Sequence, residues 1–281
     1  MSALDTPNKG RKKLESIPEY KNKKEFARQE MNQYFKRQVG IIYLGIFGVS
    51  VVIRLIKMIF EPLLLRDAAY YLRMAEVWHK TGVYQEIIKE HESIPPLPFW
   101  CIKSLMNFCG NSEIAGRSIS IFLGGLIPVV GFVLAREITH NIRFSLIAAL
   151  CFILHPNLVS YSTQPLRENY YILLIGLLLI AMVRNSRETR TTGWIVCGAI
   201  IGVAVLCRYE ILEFLVFVTM EIAVLELKRN RIIPFLKSVG IFLLVFVITS
   251  FSLLVIINCN YSSIYKIKRY YSRAIGAEAE I

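Results

Sequence analysis

The chain has 281 residues, 54% of them apolar, with 33 Lys and Arg against 21 Asp and Glu for a net charge of +12. A soluble protein disperses its apolar residues with the period of its secondary structure; here they stand in long blocks separated by short basic stretches, the pattern of a membrane protein. The basic excess lies in an N-terminal tail and in short loops rather than on a solvated face, which excludes a nucleic-acid-binding domain and predicts no nucleic-acid partner. None of the six cysteines forms a CxxC pair or a Cys/His zinc spacing, and they read as small apolar fillers. Cys101 and Cys109, on one helix, would lie about 12 Å apart, too far for a disulfide.

Residues 1–38 are polar, with ten Lys and Arg against five acids, and contain no apolar core of a cleavable signal. They read as a cytosolic basic tail with an amphipathic stretch near Phe26–Phe35 that touches the bilayer surface, leaving the first span as signal-anchor. Seven apolar blocks follow: 39–60, 118–135, 144–161, 170–183, 194–207, 211–227 and 235–258. A helical span needs roughly 20 residues. The expected fold is therefore an all-α polytopic transmembrane helical bundle of about seven spans, covering 39–258, with a C-terminal tail at 259–281. Arg54 and Lys57 sit within the first block, and Gly198 and Gly202 mark the short fifth one.

The excess of Lys and Arg in short loops sets orientation. With the tail inside, the loops holding Arg136 and Arg143, then Arg184, Arg187 and Arg190, then Lys228, Arg229, Arg231 and Lys237 are all cytosolic and all basic. An odd number of spans leaves Lys266, Lys268, Arg269 and Arg273 outside, against the rule. The expected location is a plasma membrane, the inner one in a bacterium. The long outer loop, 61–117, reads as two amphipathic helices lying on the membrane among its lipids. In the first, Ala68, Tyr71, Leu72, Ala75, Trp78 and His79 share a face; the second, 97–109, is approached by an extended Pro95-Pro96-Leu97-Pro98.

Charges at membrane depth cost about 2.5–3.5 kcal/mol each and are functional candidates. Three acid–base couples fall on the expected outer side: Arg66-Asp67, Arg167-Glu168, and Arg208-Tyr209-Glu210 with Glu213 a turn later. Each has a plain structural alternative. Asp67 suits a helix N-cap, Glu168 the dipole of a first turn, and Arg208 a side chain reaching for phosphate headgroups. The four histidines are scattered. His79 and His91 share the outer loop with Glu86, Glu90 and Glu92, so a divalent metal is neither required nor excluded.

From Arg54 to Glu213 the order of features resembles the C-type membrane glycosyltransferases. Specifically, it is similar to the family 39-like enzymes related to protein O-mannosyltransferases and lipid A aminoarabinose transferases. The matching stretches are R-D-A-A-Y-Y-L-R-M-A from Arg66, the Pro-rich Ile94–Leu97, and Gly110–Gly125. After them come H-P-N-L-V-S-Y-S-T-Q-P-L-R-E-N (His155–Asn169) and G-A-I-I-G-V-A-V-L-C-R-Y-E (Gly198–Glu210). The resemblance maps the essential first-loop Asp onto Asp67, the acid opening the fourth span onto Glu168, and the base ending the fifth onto Arg208. Ala68 stands where the family commonly has a second acid. Family members also commonly continue beyond a seventh span, which leaves a minimal member, a fragment and a catalytically dead relative as readings.

The activity this resemblance implies is transfer of a sugar from a polyprenyl-phosphate donor to a hydroxyl of a lipid, glycan or protein acceptor at the outer face. Asp67 is then the base. Arg208 and Arg167 face the phosphate, Glu168 orients Arg167 or the sugar, and Arg66, Tyr70 and Glu210 complete the substrate site. A transporter or flippase, which calls for midplane charges and broken spans, and a non-catalytic chain working with a second membrane subunit are the competing readings.

Overall fold

In a computed structural model, residues 18–81, 95–188, 191–227 and 232–257 are described, the side chains of 18–38 and 188 excepted. Every described element is helical: α1 (Pro18–Phe60), α2 (Arg66–Thr81), α3 (Leu97–Cys109), α4 (Ser112–Thr139), α5 (Ile142–Leu154), α6 (Pro156–Ser162), α7 (Glu168–Glu188), α8 (Thr191–Ala204), α9 (Glu213–Leu227) and α10 (Ile232–Ile256), with a 3-10 turn at Tyr209–Leu212. The chain divides into two compact units, Met1–Ile46 and Phe47–Ile281. The first contains most of α1; the second holds the rest of the fold. The stretches 1–17, 82–94, 189–190, 228–231 and 258–281 lie outside the described residues, and with them the start of the N-terminal tail, Glu86, Glu90, His91, Glu92, Ile94, Arg190, Lys228, Arg229, Arg231, Cys259 and the basic C-terminal tail.

All seven apolar blocks are helical where described, but among the described residues fewer than seven helices are long and apolar enough to be full spans. Among the described residues four helices have the length and apolarity to cross a membrane: Val39–Phe60, Ser112–Thr139, Glu168–Arg187 and Ile232–Ile256. The third block is broken at His155, where α5 and α6 meet at 60°, and the pair counts as at most one more span. Pro156 explains the break. It disfavours helical geometry in the residue before it, and His155 adopts an extended conformation whose Nδ1 accepts from the Leu158 amide. The fifth and sixth blocks yield helices of 14 and 15 residues, about 21–23 Å long and so short of a hydrocarbon core of about 30 Å.

Glycines set how closely the helices approach. A Cβ on Gly198 would lie 2.6 Å from the Phe242 carbonyl oxygen, and one on Gly202 would lie 2.8 Å from Cβ of Thr249. The small-xxx-small spacing of the fifth block thus lets α8 press backbone to backbone on α10, where Ser250 Oγ also reaches the Gly202 carbonyl at 3.3 Å. Gly124 of α4 makes room for the Arg54 guanidinium, whose Nε lies 2.7 Å from where a Cβ would be. Arg54 is fully buried and donates to the Ser50 carbonyl and hydroxyl. It is turned inward rather than fouling the end of its span.

Two helices do form in the first long loop, with their apolar faces turned to protein. Trp78, Phe99 and Ile102 are each at most 2% exposed, and α2, α3 and α4 pack on one another. The buried face of α2 includes Met74, whereas His79, expected on it, is exposed. The ammonium of Lys103 lies over the Trp78 ring at 4.9 Å. The prolines before α3 do not extend the chain. Pro96 has helical dihedrals (φ −81, ψ −21) and Pro98 lies in the first turn, where a missing amide leaves no bond unmade. The start of α3 is fixed by its Leu97 amide, which donates to the Leu206 carbonyl at 2.9 Å.

Candidate active site

Asp67 lies inside the first turn of α2, not ahead of it, and is exposed. Among the described residues no amide bonds to its carboxylate and no cation pairs with it, so the N-cap alternative does not hold. Its position is set by the preceding strap. The Gln164 side chain clamps that strap in two directions, its Oε1 accepting from the Leu65 amide at 3.2 Å and its Nε2 donating to the Leu63 carbonyl at 3.0 Å. Arg117 adds a second clasp, donating to the Pro62 carbonyl at 2.6 Å and the Thr163 carbonyl at 3.5 Å while its Nε bonds Glu113 at 2.8 Å. Both side chains are buried. Asn169 in turn ties the Gln164 turn together through the carbonyls of Tyr161 (2.9 Å) and Gln164 (3.2 Å).

The second and third couples meet directly. Glu168 Oε1 lies 3.8 Å from Arg167 Nε and 3.6 Å from Arg208 Nη1, and Arg208 Nε lies 3.0 Å from Glu210 Oε1. The Arg208 guanidinium also stands over the Tyr171 ring, 5.3 Å from its centroid, in cation–π geometry. Burial works against the Arg208 cation, but bonding and charge from Glu210, with the Glu168 charge, outweigh it and raise its pKa above the ordinary value. Arg167 Nε and Glu168 Oε2 are buried, and neither has a hydrogen-bond partner among the described residues. A buried cation donor and carboxylate oxygen left unmatched are costly in a folded chain and mark a place built to receive something.

Tyr71 connects Asp67 to this cluster. Its phenol is 6% exposed, and burial raises its pKa, with Arg167, Glu168, Asp67 and Arg208 all acting on it electrostatically. Four charges, two of each sign, therefore act on one buried hydroxyl at one end of the bundle. Because its pKa is raised from about 10, Tyr71 is neutral at physiological pH.

The structure thus brings together Arg167, Glu168, Arg208 and Glu210, while Asp67 makes no hydrogen bond or ion pair with them and is linked to the group only through its charge at Tyr71. Arg66 is exposed and no described residue pairs with it, and the Tyr70 ring packs edge-on against Tyr71 at 6.1 Å. Glu168 faces two arginines, more than the helix-dipole reading asks of it, and Arg208 is held by two carboxylates and a ring rather than reaching outward. Sequence reasoning missed Tyr71, Tyr171, Gln164 and Arg117. Helical spacing held a signal for the tyrosines, since Tyr71 is four residues after Asp67 and Tyr171 three after Glu168. Among the described residues no three His, Cys, Asp or Glu side chains gather as a metal site.

A family model described as dolichyl-phosphate-mannose-protein mannosyltransferase matches residues 93–254, more than half of the chain. The match includes Arg117, Gln164, Arg167, Glu168, Arg208 and Glu210; Arg66, Asp67 and Tyr70 precede it. No curated protein matches the chain, and no solved structure does.

Proposed function

Because this chain belongs to the dolichyl-phosphate-mannose-protein mannosyltransferase family and is a membrane glycosyltransferase of the mannosyltransferase type, we propose that it transfers a sugar from a polyprenyl-phosphate donor to an acceptor hydroxyl at one membrane face, with Asp67 and Arg208 acting on the same phosphosugar. The single observation that carries this reading is the unmatched pair of buried atoms, Arg167 Nε and Glu168 Oε2, beside the Arg208 guanidinium. A phosphosugar brings what they lack: oxygens to accept from arginine and hydroxyls to donate to a carboxylate.

Phosphate is a good leaving group, so departure of the sugar needs no general acid, unlike hydrolysis by a pair of carboxylates. Arg208 and Arg167 stabilise the negative charge that grows on the leaving phosphate, an effect strengthened by their partial burial. Glu168 holds both guanidiniums in register and takes a sugar hydroxyl on its free oxygen. Asp67 stands at the rim and takes the acceptor proton as the hydroxyl attacks the anomeric carbon. Its freedom from amides and cations suits a base that must not be neutralised in advance. Displacement in one step inverts the anomeric centre. Tyr71 keeps the base and the phosphate partners apart without adding charge.

The test is transfer of radiolabelled sugar from a polyprenyl-phosphate donor to extracted membrane acceptors by the purified chain. Asp67→Asn is expected to lower the rate roughly 100-fold or more, the usual contribution of a positioned base, with donor affinity little changed. Transfer at the wild-type rate by normally inserted Asp67→Asn protein removes the assigned base. No transfer by wild type with any polyprenyl-phosphate sugar removes the reading as a whole.

A further inference from the structure

A groove of about 430 Å³ opens between α7 and α8, away from the candidate active site. Its walls are Leu177 and Ala181 on α7 and Val196 and Ile200 on α8, and it ends at Arg184 and Thr192. Arg184 is 16 residues beyond Glu168 on one continuous helix, about 24 Å along the axis and so at the opposite membrane face. From Arg184 to Leu177, and from Thr192 to Ile200, each wall runs about 10–12 Å toward the bilayer centre. The groove therefore starts at headgroup level and is apolar below it. Its volume lies within the roughly 300–1,000 Å³ of ligand sites, and the half-exposed Leu177 and Val196 leave its side open.

Charge decides what sits at the mouth. Glu137 of α4 receives both Arg184, at 2.7 Å, and Arg187, at 3.5 Å, so one carboxylate faces two guanidiniums. The Arg184 side chain keeps 60% of its surface exposed while making that pair. Arg136 and Arg143 belong to the same end of the bundle, at the close of α4 and the start of α5. An uncharged apolar molecule would leave the excess charge of Arg184 and Arg187 over Glu137 unanswered, and a free anion would leave the apolar walls uncovered. A molecule with a chain and an anionic head matches both features.

We propose that this groove is a site for one anionic phospholipid, an acyl chain lying between α7 and α8 and the headgroup phosphate on Arg184. Such a lipid holds the paired helices together at the face opposite the active site. Removing one cation from an anionic headgroup costs about five-fold in affinity.

The experiment is native mass spectrometry of the full chain in detergent, titrated with dioleoylphosphatidylglycerol or dioleoylphosphatidylcholine. The site predicts one phosphatidylglycerol retained about five-fold more tightly than phosphatidylcholine. Arg184→Gln should abolish that preference. Val196→Trp, at a half-exposed position where folding is not at stake, should weaken both lipids by blocking the groove. Glu137→Gln breaks the same ion pairs but leaves the cations, and should hold or strengthen phosphatidylglycerol binding. Equal retention of the two lipids by wild type, unchanged binding by Val196→Trp, or a loss in Arg143→Gln as large as in Arg184→Gln would each overturn the proposal, the last by showing a diffuse basic surface instead of a site.

Discussion

The two ends of this bundle use the same side chains, arginine and glutamate, in opposite ways. At one end Arg167, Glu168, Arg208 and Glu210 gather near the half-buried Tyr171 and the buried Tyr71, and among the described residues Arg167 Nε and Glu168 Oε2 find no hydrogen-bond partner. At the other, Glu137 is occupied by Arg184 and Arg187 on exposed side chains, Arg187 also donating to the Glu137 carbonyl. The first arrangement is under-satisfied and its arginines are largely enclosed; the second is satisfied and its arginines are solvated. Enclosure is what makes a charge chemically useful, because a partly dry site magnifies its interaction with a substrate, whereas an exposed pair is screened.

That contrast can be broken most sharply by removing one arginine from each end. Arg208→Gln should cut sugar transfer roughly 100-fold or more, the typical cost of losing one preorganised donor to a developing anion. Arg187→Gln should leave transfer within about two-fold; a comparable loss from both would erase the distinction. Next in size is the clamp behind the site. Gln164→Leu is expected to destabilise the chain by about 1–3 kcal/mol, since it leaves the Leu65 amide and Leu63 carbonyl unmatched. It should also lower kcat more than it changes donor KM, because Asp67 loses its position while the phosphate partners keep theirs. Gly198→Leu should cost a similar 1–3 kcal/mol by overpacking against the Phe242 backbone, read as a lower thermal midpoint with donor KM unchanged. Smallest is Glu137→Ala, expected to cost no more than about 1 kcal/mol, as exposed ion pairs do; a loss of several would mean the basic end is held by its charges after all.

The all-helical membrane fold was legible because apolar blocks and basic loops are local properties. Each of the seven blocks is helical where it is described, the third as two helices, and the meeting of Glu168 with Arg208 follows from charges placed at the same ends of neighbouring helices. Span count was less legible. Pro156 breaks the third block, and helices as short as α8 and α9 are recognised only when their ends are known. The protein-facing side of α2 misled for a related reason: an amphipathic face reads the same whether it meets lipid or α3 and α4, and His79 lies at its edge. Gln164 and Arg117 were not legible as clamps, since their partners are backbone carbonyls and amides 46–101 residues away in sequence, and backbone leaves no trace in side-chain pattern.

The central claim is that Asp67 and Arg208 occupy one face of the membrane, with Arg184 on the other. In sealed vesicles of known orientation, Asp67→Cys, Arg208→Cys and Arg184→Cys can each be challenged with a membrane-impermeant maleimide from either side, against the wild-type background. The account predicts that the first two label from the same side and the third only from the opposite one. Labelling of Asp67→Cys and Arg208→Cys from opposite sides would contradict it, since no phosphosugar could then touch both.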